Sequence, residues 1–195
     1  MATIYLIRHG KSETNEKGIL GKPSAKLSPA GRKQARILAN KFKKVPFSAI
    51  YTSKYTRTME TAQPFIKSHP VKSDGNLNER YFGILEDIKG QPLLKEFKYI
   101  LDRLPIKLRK HFKFSPKMES DTEAFIRFNE IIRQILSKHN GKTVLVFTHS
   151  NVLRIFLVYS GLADFKSLPA GSIKNCGYVR LRSSTNGLII EKWAI

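Results

Sequence analysis

Two short apolar segments end in a histidine, and this pattern restricts the possible folds more than any other feature of the chain. Residues 3–7 form a β-branched, apolar run that leads to His9, and residues 143–148 form a second run that stops at His149. Such runs are typical of buried strands that end in a loop. Residues 47–52 predict another strand, and helical patterns follow the first two strands of the chain. This alternation predicts an α/β fold with a largely parallel sheet.

The remaining elements follow from periodicity and from capping residues. Ser28 and Pro29 are typical of a helix start, and Ser53 is predicted to cap the next helix. Along the chain, we predict helices at 29–44, 54–67, 92–111, 121–138 and 151–159, a loop at 73–90, and two late strands at 172–182 and 188–194.

Length and charge limit the class of protein. The chain has 195 residues, which predicts one domain at about 150 residues per domain. It carries 35 Lys and Arg against 15 Asp and Glu, a net charge of +20, so we expect an anionic partner or substrate. No apolar run approaches the roughly 20 residues that span a bilayer, and the first residues do not resemble a signal peptide. We therefore expect a cytoplasmic monomer or homodimer that does not bind a membrane, with its single cysteine, Cys176, in a structural role.

Two arginines are predicted to lie near His9. Arg8 precedes His9, and Arg57 comes soon after the second strand. Because ligands bind beyond the carboxyl ends of parallel strands, these residues and His149 are predicted to converge on one site that suits a phosphoryl group. The alternative is structural, with each histidine in a local hydrogen bond and Arg57 paired with Glu60 on its helix. Neither an HExxH motif nor a cysteine pair is present, so we expect no metal and no cofactor.

Short motifs follow one another in a fixed order along the chain. They are Arg8-His9-Gly10-Lys11-Ser12-Glu13-Thr14-Asn15, Leu27-Ser28-Pro29-Ala30-Gly31, Ser53 through Arg57 with Thr61-Ala62, Leu77-Asn78-Glu79-Arg80-Tyr81-Phe82-Gly83, Glu119-Ser120 and Thr148-His149. This series resembles the histidine phosphatase superfamily, in the branch that contains cofactor-dependent phosphoglycerate mutase and fructose-2,6-bisphosphatase. The resemblance implies one domain over residues 1–195, folded as a three-layer α/β/α sandwich with a mostly parallel mixed sheet, as in phosphoglycerate mutase.

The resemblance also implies catalytic roles. His9 would attack phosphorus and form a phosphohistidine that water then hydrolyses, while Arg8, Arg57 and His149 hold the phosphoryl oxygens. Glu79 would give a proton to the leaving group; its alternative is a surface carboxylate paired with the next residue. Substrate contacts are expected from Asn15, Lys11, Gly21, Arg80, Ser150 and Asn151. The remaining histidines are expected on the surface: His69, His111 and His139.

The resemblance leaves the phosphoryl acceptor open. We expect a phosphatase for small sugar phosphates or bisphosphates, because mutases of this kind carry longer inserts and tails that exclude water. The motifs at 77–80 and 149–151 are closer to mutase patterns, so phosphoglycerate mutase is the alternative. The basic segment 89–117 is predicted to be a helical lid that binds a second anionic group, or else a solvated face. The high charge also permits a nucleic-acid-binding protein, although no motif for specific nucleic-acid binding is present.

Overall fold

A mixed β-sheet forms the centre of the computed structural model, which describes residues 1–86, 92–185 and 187–194. Within these residues the strands are β1 (Thr3–Arg8), β2 (Ala49–Thr52), β3 (Val71–Ser73), β4 (Thr143–Thr148), β5 (Tyr178–Ser184) and β6 (Gly187–Ala194). They pair in the order β3-β2-β4-β1-β5-β6. The pairs from β3 through β1 are parallel, and β5 pairs antiparallel with β1 and with β6. The predicted mostly parallel mixed sheet is confirmed.

Helices cover both faces of this sheet. They are α1 (Glu13–Glu16), α2 (Pro29–Lys41), α3 (Thr56–Ala62), α4 (Pro92–Arg103), α5 (Ile106–Arg109), α6 (Asp121–Lys138) and α7 (Ser150–Tyr159), with 3₁₀ helices at Gln63–Ser68, Gly75–Leu77 and Gly83–Glu86. Ser28 caps α2 as predicted, and its hydroxyl accepts from the Gly31 amide. None of the described helices is both long and apolar enough to cross a bilayer.

The two faces of the sheet have separate hydrophobic cores. Because successive strand residues point to opposite faces, Ile4 and Leu6 of β1 pack toward α6 and α7, whereas Tyr5 and Ile7 pack toward α2 and α3. The same alternation holds in β4, which is buried along nearly its whole length. The three-layer α/β/α sandwich is therefore confirmed.

The carboxyl ends of three parallel strands lie side by side. Arg8 at the end of β1 is in register with Thr148 at the end of β4, and the His9 amide donates to the Thr148 carbonyl at 3.0 Å. Thr52 at the end of β2 is in register with Phe147 of β4. The residues that follow these strands therefore begin at one edge of the sheet, where the sequence predicts a ligand site.

Several element boundaries differ from the predicted ones for local reasons. The helix predicted at 92–111 is broken into α4 and α5, because Pro105 lacks an N–H and disfavours helical backbone before it. The strand predicted at 172–182 begins only at Tyr178, after Cys176 adopts a left-handed φ of 59°. The sequence patterns do not predict strand β3, because a three-residue edge strand is too short to produce a periodic pattern.

Two polar residues have tertiary roles that local sequence did not indicate. The helix predicted at 54–67 has Tyr55 at its N-cap, so the prediction that Ser53 caps it is wrong. His139, expected on the surface, is only 9% exposed, and its Nε2 lies 3.0 Å from the Tyr51 hydroxyl. Both residues form hydrogen bonds with groups that are distant in sequence.

The segment ahead of α6 has a small hydrophobic core of its own. Residues 87–91, where the predicted lid 89–117 begins, lie outside the described residues, and the lid function stays a prediction. Helix α4 contributes an amphipathic face rather than a fully solvated surface. The core consists of Phe82, Leu85, Phe97, Leu101 and Met118.

Candidate active site

The His9 ring is held in one tautomer. Its Nδ1 lies 2.7 Å from the Gly10 carbonyl oxygen, which can only accept, so Nδ1 carries the hydrogen. Nε2 therefore has a lone pair, and it accepts from Arg57 Nε at 3.1 Å. Burial, reinforced by the charges of Arg57 and Arg8, lowers the pKa of His9 well below its ordinary 6.5. His9 is thus a neutral imidazole whose Nε2 carries no hydrogen.

The second strand-end histidine, His149, faces the first. The ring centroids of His9 and His149 are 5.2 Å apart. His149 Nε2 lies 2.8 Å from Ser53 Oγ, which in turn lies 2.7 Å from Thr58 Oγ1. The Thr58 hydroxyl donates to the Tyr55 carbonyl at 2.7 Å, so Ser53 donates to Thr58 and accepts from His149. Nε2 of His149 therefore carries a hydrogen.

Two buried nitrogens at this edge of the sheet lack hydrogen-bond partners among the described residues. They are Nδ1 of His149 and Nε of Arg8, whose Nη1 donates to the Ile173 carbonyl at 2.6 Å. Burial, followed by the charge of Arg57, lowers the pKa of His149 well below 6.5, so Nδ1 has a bare lone pair. The unpaired Arg8 Nε–H is a donor, and its burial costs free energy that an anionic ligand can relieve. A phosphate dianion would favour protonation of His149, and Nδ1–H would then donate to a phosphoryl oxygen.

Arg57 is fixed by backbone carbonyls rather than by a carboxylate on its own helix. It is 3% exposed, and its Nη1 donates to the carbonyls of Gly21 at 3.3 Å and Lys22 at 2.9 Å. Glu60, its alternative partner, instead accepts from the Leu27 amide at 2.6 Å. Carbonyl groups orient the guanidinium without neutralising it, so its charge is directed at an anion beside His9.

Glu79 lies at the N-terminus of α7, surrounded by N–H donors. Its Oε1 accepts from the amides of Arg80 and Val152, both at 2.9 Å, and its Oε2 accepts from the amide and side chain of Asn151, both at 3.2 Å. These four bonds fix the position of the carboxyl group at the N-terminal end of α7. The alternative pair with the Arg80 guanidinium does not form, because that group binds Asp121.

A cavity of about 90 Å³ is lined by Arg8, His9, Arg57 and Glu79, and a second cavity of about 320 Å³ adjoins it. His149 is fully buried behind this lining, with its ring 5.2 Å from that of His9. Arg8 and Phe82 line both cavities, so the two spaces meet beside the phosphoryl-binding groups. The first cavity can take a phosphoryl group and the second the rest of a substrate. Four of the predicted substrate contacts line the first cavity: Asn15, Gly21, Ser150 and Asn151.

The other two predicted substrate contacts are directed elsewhere. Lys11 Nζ lies 3.8 Å from the Glu16 carboxylate, and the Lys11 side chain is 41% exposed. Arg80 is 2% exposed, and its charge is compensated by the buried carboxylate of Asp121, although it lines the second cavity. We therefore leave both residues out of the proposed phosphoryl site.

Two further residues at the site escaped prediction. Asn175 Nδ2 donates to the His9 carbonyl at 3.1 Å and to Asn15 Oδ1 at 3.3 Å; it lies 166 residues from His9, so no local pattern marks it. The Tyr55 ring lies 4.8 Å from the Arg57 guanidinium, and burial raises the pKa of Tyr55 to about 12. Tyr55 stands inside the 53–57 motif, which could have identified it. Within the described part of the chain, no three His, Cys, Asp or Glu side chains are placed to share a metal ion.

Together, the fold and the site define a class of protein. A neutral imidazole, two arginines, a second buried imidazole and a carboxylate meet at the carboxyl edge of a parallel sheet. These groups suit phosphoryl transfer through a covalent histidine intermediate. The family model of the histidine phosphatase superfamily (branch 1) matches residues 4–195, and the chain belongs to this superfamily.

Three known proteins illustrate the relationship. The 2,3-bisphosphoglycerate-dependent phosphoglycerate mutase 2 of Gloeobacter violaceus is 28% identical over 177 residues, covering 81% of this chain and 75% of that protein. The 6-phosphofructo-2-kinase/fructose-2,6-bisphosphatase of Caenorhabditis elegans is 33% identical over 170 residues, covering 86% of this chain but 36% of that longer protein. The structure of Bacillus stearothermophilus YhfR has a TM-score of 0.84 at 24% identity and covers 98% of this chain and 96% of that one. The predicted superfamily and its fold are confirmed.

Proposed function

We propose that residues 1–195 form one catalytic domain that hydrolyses small phosphorylated metabolites, of the sugar phosphate or bisphosphate type, through a phosphohistidine on His9. The observation that carries this proposal is the tautomer of His9. The Gly10 carbonyl accepts from Nδ1–H, so Nε2 is unprotonated, and Nε2 accepts from Arg57 Nε at 3.1 Å. A neutral nucleophile beside fixed cations is what attack on a phosphate dianion requires.

In the first step, His9 Nε2 forms a bond to phosphorus while the bond from phosphorus to the leaving oxygen breaks. The three equatorial oxygens are stabilised by Arg8, Arg57 and His149. His149 is protonated in the presence of the phosphate dianion. Glu79 transfers its proton to the leaving oxygen. Four N–H donors hold the Glu79 carboxyl group in place for this transfer: the amides of Arg80, Asn151 and Val152 and the side chain of Asn151.

In the second step, water attacks phosphorus and the bond between phosphorus and His9 Nε2 breaks. The Glu79 carboxylate takes a proton from the attacking water, so one carboxyl group serves as acid and then as base. Phosphate leaves, and His9 returns to its neutral tautomer. Both steps use the same cations, because the charge on the transferred group lies in the same place in each.

The second cavity supports a leaving group with both an apolar part and a second anionic group. Arg154, whose Nε donates to the Leu168 carbonyl at 2.9 Å, lines it together with Phe82, Phe97 and Leu101, whereas the charge of Arg109 in the same wall is shared with Asp121. The cavity's volume of about 320 Å³ leaves room for water beside the phosphohistidine once the leaving group has departed, which supports hydrolysis over retention of a small intermediate. We propose that Asn15, Gly21, Ser150 and Asn151 orient the substrate where the two cavities meet.

Phosphoglycerate mutase is a second candidate function. The sequence at 77–80 is close to mutase patterns, and the mutase of Gloeobacter violaceus is 28% identical over 177 residues. A mutase would return the phosphoryl group to a second hydroxyl of the same substrate instead of to water.

The test is phosphate release from a panel of sugar phosphates, phosphoglycerates and nucleotides by wild type, His9→Ala and His111→Ala. His111 is exposed and outside the site, so its variant is the matched control. We expect release by wild type and His111→Ala but not by His9→Ala, and acid-labile labelling of the enzyme only where His9 is present. Conversion of 3-phosphoglycerate to 2-phosphoglycerate without phosphate release would select the mutase. Undiminished release by His9→Ala would overturn the proposed function.

A further inference from the structure

The side chain of Arg127 on α6 joins that helix to the segment that carries Glu79. Its Nη1 donates to the carbonyls of Asn76 at 2.8 Å and Asn78 at 3.0 Å, and its Nη2 donates to the Glu79 carbonyl at 3.1 Å. One guanidinium thus binds three backbone oxygens within four residues. This segment has no regular structure between the 3₁₀ helices at Gly75–Leu77 and Gly83–Glu86, so such contacts determine where Glu79 lies.

Glu119 orients Arg127 and holds the same segment on the other side of Glu79. Arg127 Nε lies 2.6 Å from Glu119 Oε1, and Nη2 lies 2.8 Å from Oε2, in a bidentate pair whose side chains are 20% and 15% exposed. The Glu119 carboxylate also accepts from the Tyr81 amide at 3.1 Å, and the Glu119 amide donates to the Tyr81 carbonyl at 2.9 Å. The pair therefore holds the backbone both before and after Glu79.

We infer that the Glu119–Arg127 pair is a positioning device for the proton donor Glu79, an inference that rests on the proposed function. Neither member of the pair lines the catalytic cavity, so each acts through Glu79. The Glu79 carboxylate reaches the amides of Asn151 and Val152 only while its backbone keeps its place relative to α7. A shift of a fraction of an ångström would break these bonds and move the proton away from the leaving oxygen.

Leaving groups of different acidity separate this role from a merely structural one. An alkoxide leaves slowly without a proton, whereas p-nitrophenolate is stable as an anion and leaves without one. A displaced Glu79 therefore slows the first step, formation of the phosphohistidine, far more with glycerol phosphate than with p-nitrophenyl phosphate. A variant that only loses folded protein would lower both rates by the same factor.

The experiment measures kcat and KM for these two esters with Arg127→Met, Arg127→Lys and Glu119→Gln. Glu79→Gln is the reference, and Arg133→Met, which removes an exposed arginine from the same helix, is the control. From the usual contribution of general acids, we expect Arg127→Met to lower kcat/KM, which covers the steps up to departure of the leaving group and excludes the later attack of water, by about 10- to 100-fold for glycerol phosphate and by less than about 3-fold for p-nitrophenyl phosphate. Glu79→Gln should show the same selectivity with a larger loss, and Arg127→Lys a smaller loss.

Any other pattern overturns the inference, including equal losses on both esters and no loss on either. If Arg127→Met does not fold, Arg127→Lys and Glu119→Gln test the inference. In each of these variants the loss on glycerol phosphate is compared with the loss on p-nitrophenyl phosphate. The proposed function is judged separately, by whether His9→Ala abolishes hydrolysis of p-nitrophenyl phosphate. The positioning role alone would be refuted if wild type is active, His9→Ala is inactive, and the Arg127 variants lose activity on both esters by the same factor.

Discussion

The ends of β1 and β4 look alike in sequence but differ in their hydrogen bonding. His9 and His149 are 4% and 0% exposed, and burial lowers the pKa of both. In His9 the hydrogen is on Nδ1, bonded to the next carbonyl, and Nε2 is bare. In His149 the hydrogen is on Nε2, bonded to Ser53, and Nδ1 has no partner among the described residues. Opposite tautomers suit the two proposed roles, nucleophile for His9 and phosphoryl-oxygen contact for His149.

Removing each histidine in turn should separate these roles. We expect His9→Ala to lower kcat by at least about 10⁴-fold, because no other nucleophile replaces it. His149→Ala should lose about 10²- to 10³-fold, the usual effect of deleting one oxyanion contact. Rapid-quench labelling should detect phosphoenzyme in His149→Ala and none in His9→Ala. Similar losses in both variants, with no phosphoenzyme in either, would contradict the division of roles.

The shared burial of the two histidines should make stability depend on pH. Because both pKa values are lowered in the folded state, the unfolded chain binds more protons below pH 6.5, and stability falls as pH decreases from there. The expected slope is about 1.4 kcal/mol per pH unit for each histidine. Urea unfolding between pH 7 and pH 5 measures this slope of the free energy of unfolding. The free energy of unfolding should fall less in His9→Asn than in wild type over this range. Parallel curves for the two proteins would argue against a neutral, buried His9.

The smallest expected effect concerns the support of His149. Ser53→Ala removes the acceptor of His149 Nε2–H, and a lost hydrogen bond of about 1 kcal/mol corresponds to roughly a 5- to 10-fold fall in kcat/KM. Ser24→Ala, at an exposed loop serine, is the control. Phosphoenzyme formation should persist in Ser53→Ala, since His9 keeps its own contacts. A loss as large as that of His9→Ala would mean that Ser53 affects the nucleophile itself.

Sequence predicted the positions of the proposed catalytic residues better than those of the proposed substrate contacts. His9, His149 and Arg57 follow strand ends, and parallel strands bring such residues to one edge whatever the details of packing. Lys11 and Arg80 stand in the same motifs, yet they bind Glu16 and Asp121. A motif specifies residue type and position along the chain, but an acidic neighbour decides where a basic side chain points, whether it lies five residues away, as Glu16 does from Lys11, or on another helix, as Asp121 does relative to Arg80.

By itself the sequence determined the α/β alternation, the superfamily motifs and the meeting of two histidines, because strand periods, helix caps and parallel pairing are local or nearly local properties. Only the tertiary structure decided the tautomers and the supporting contacts. The bonds from Arg57 to His9, from Ser53 to His149, and from Asn175 to His9 span 48, 96 and 166 residues of chain. Such partners are selected by distance after folding, and a hydrogen bond formed within about 3 Å cannot be deduced from spacing along the chain.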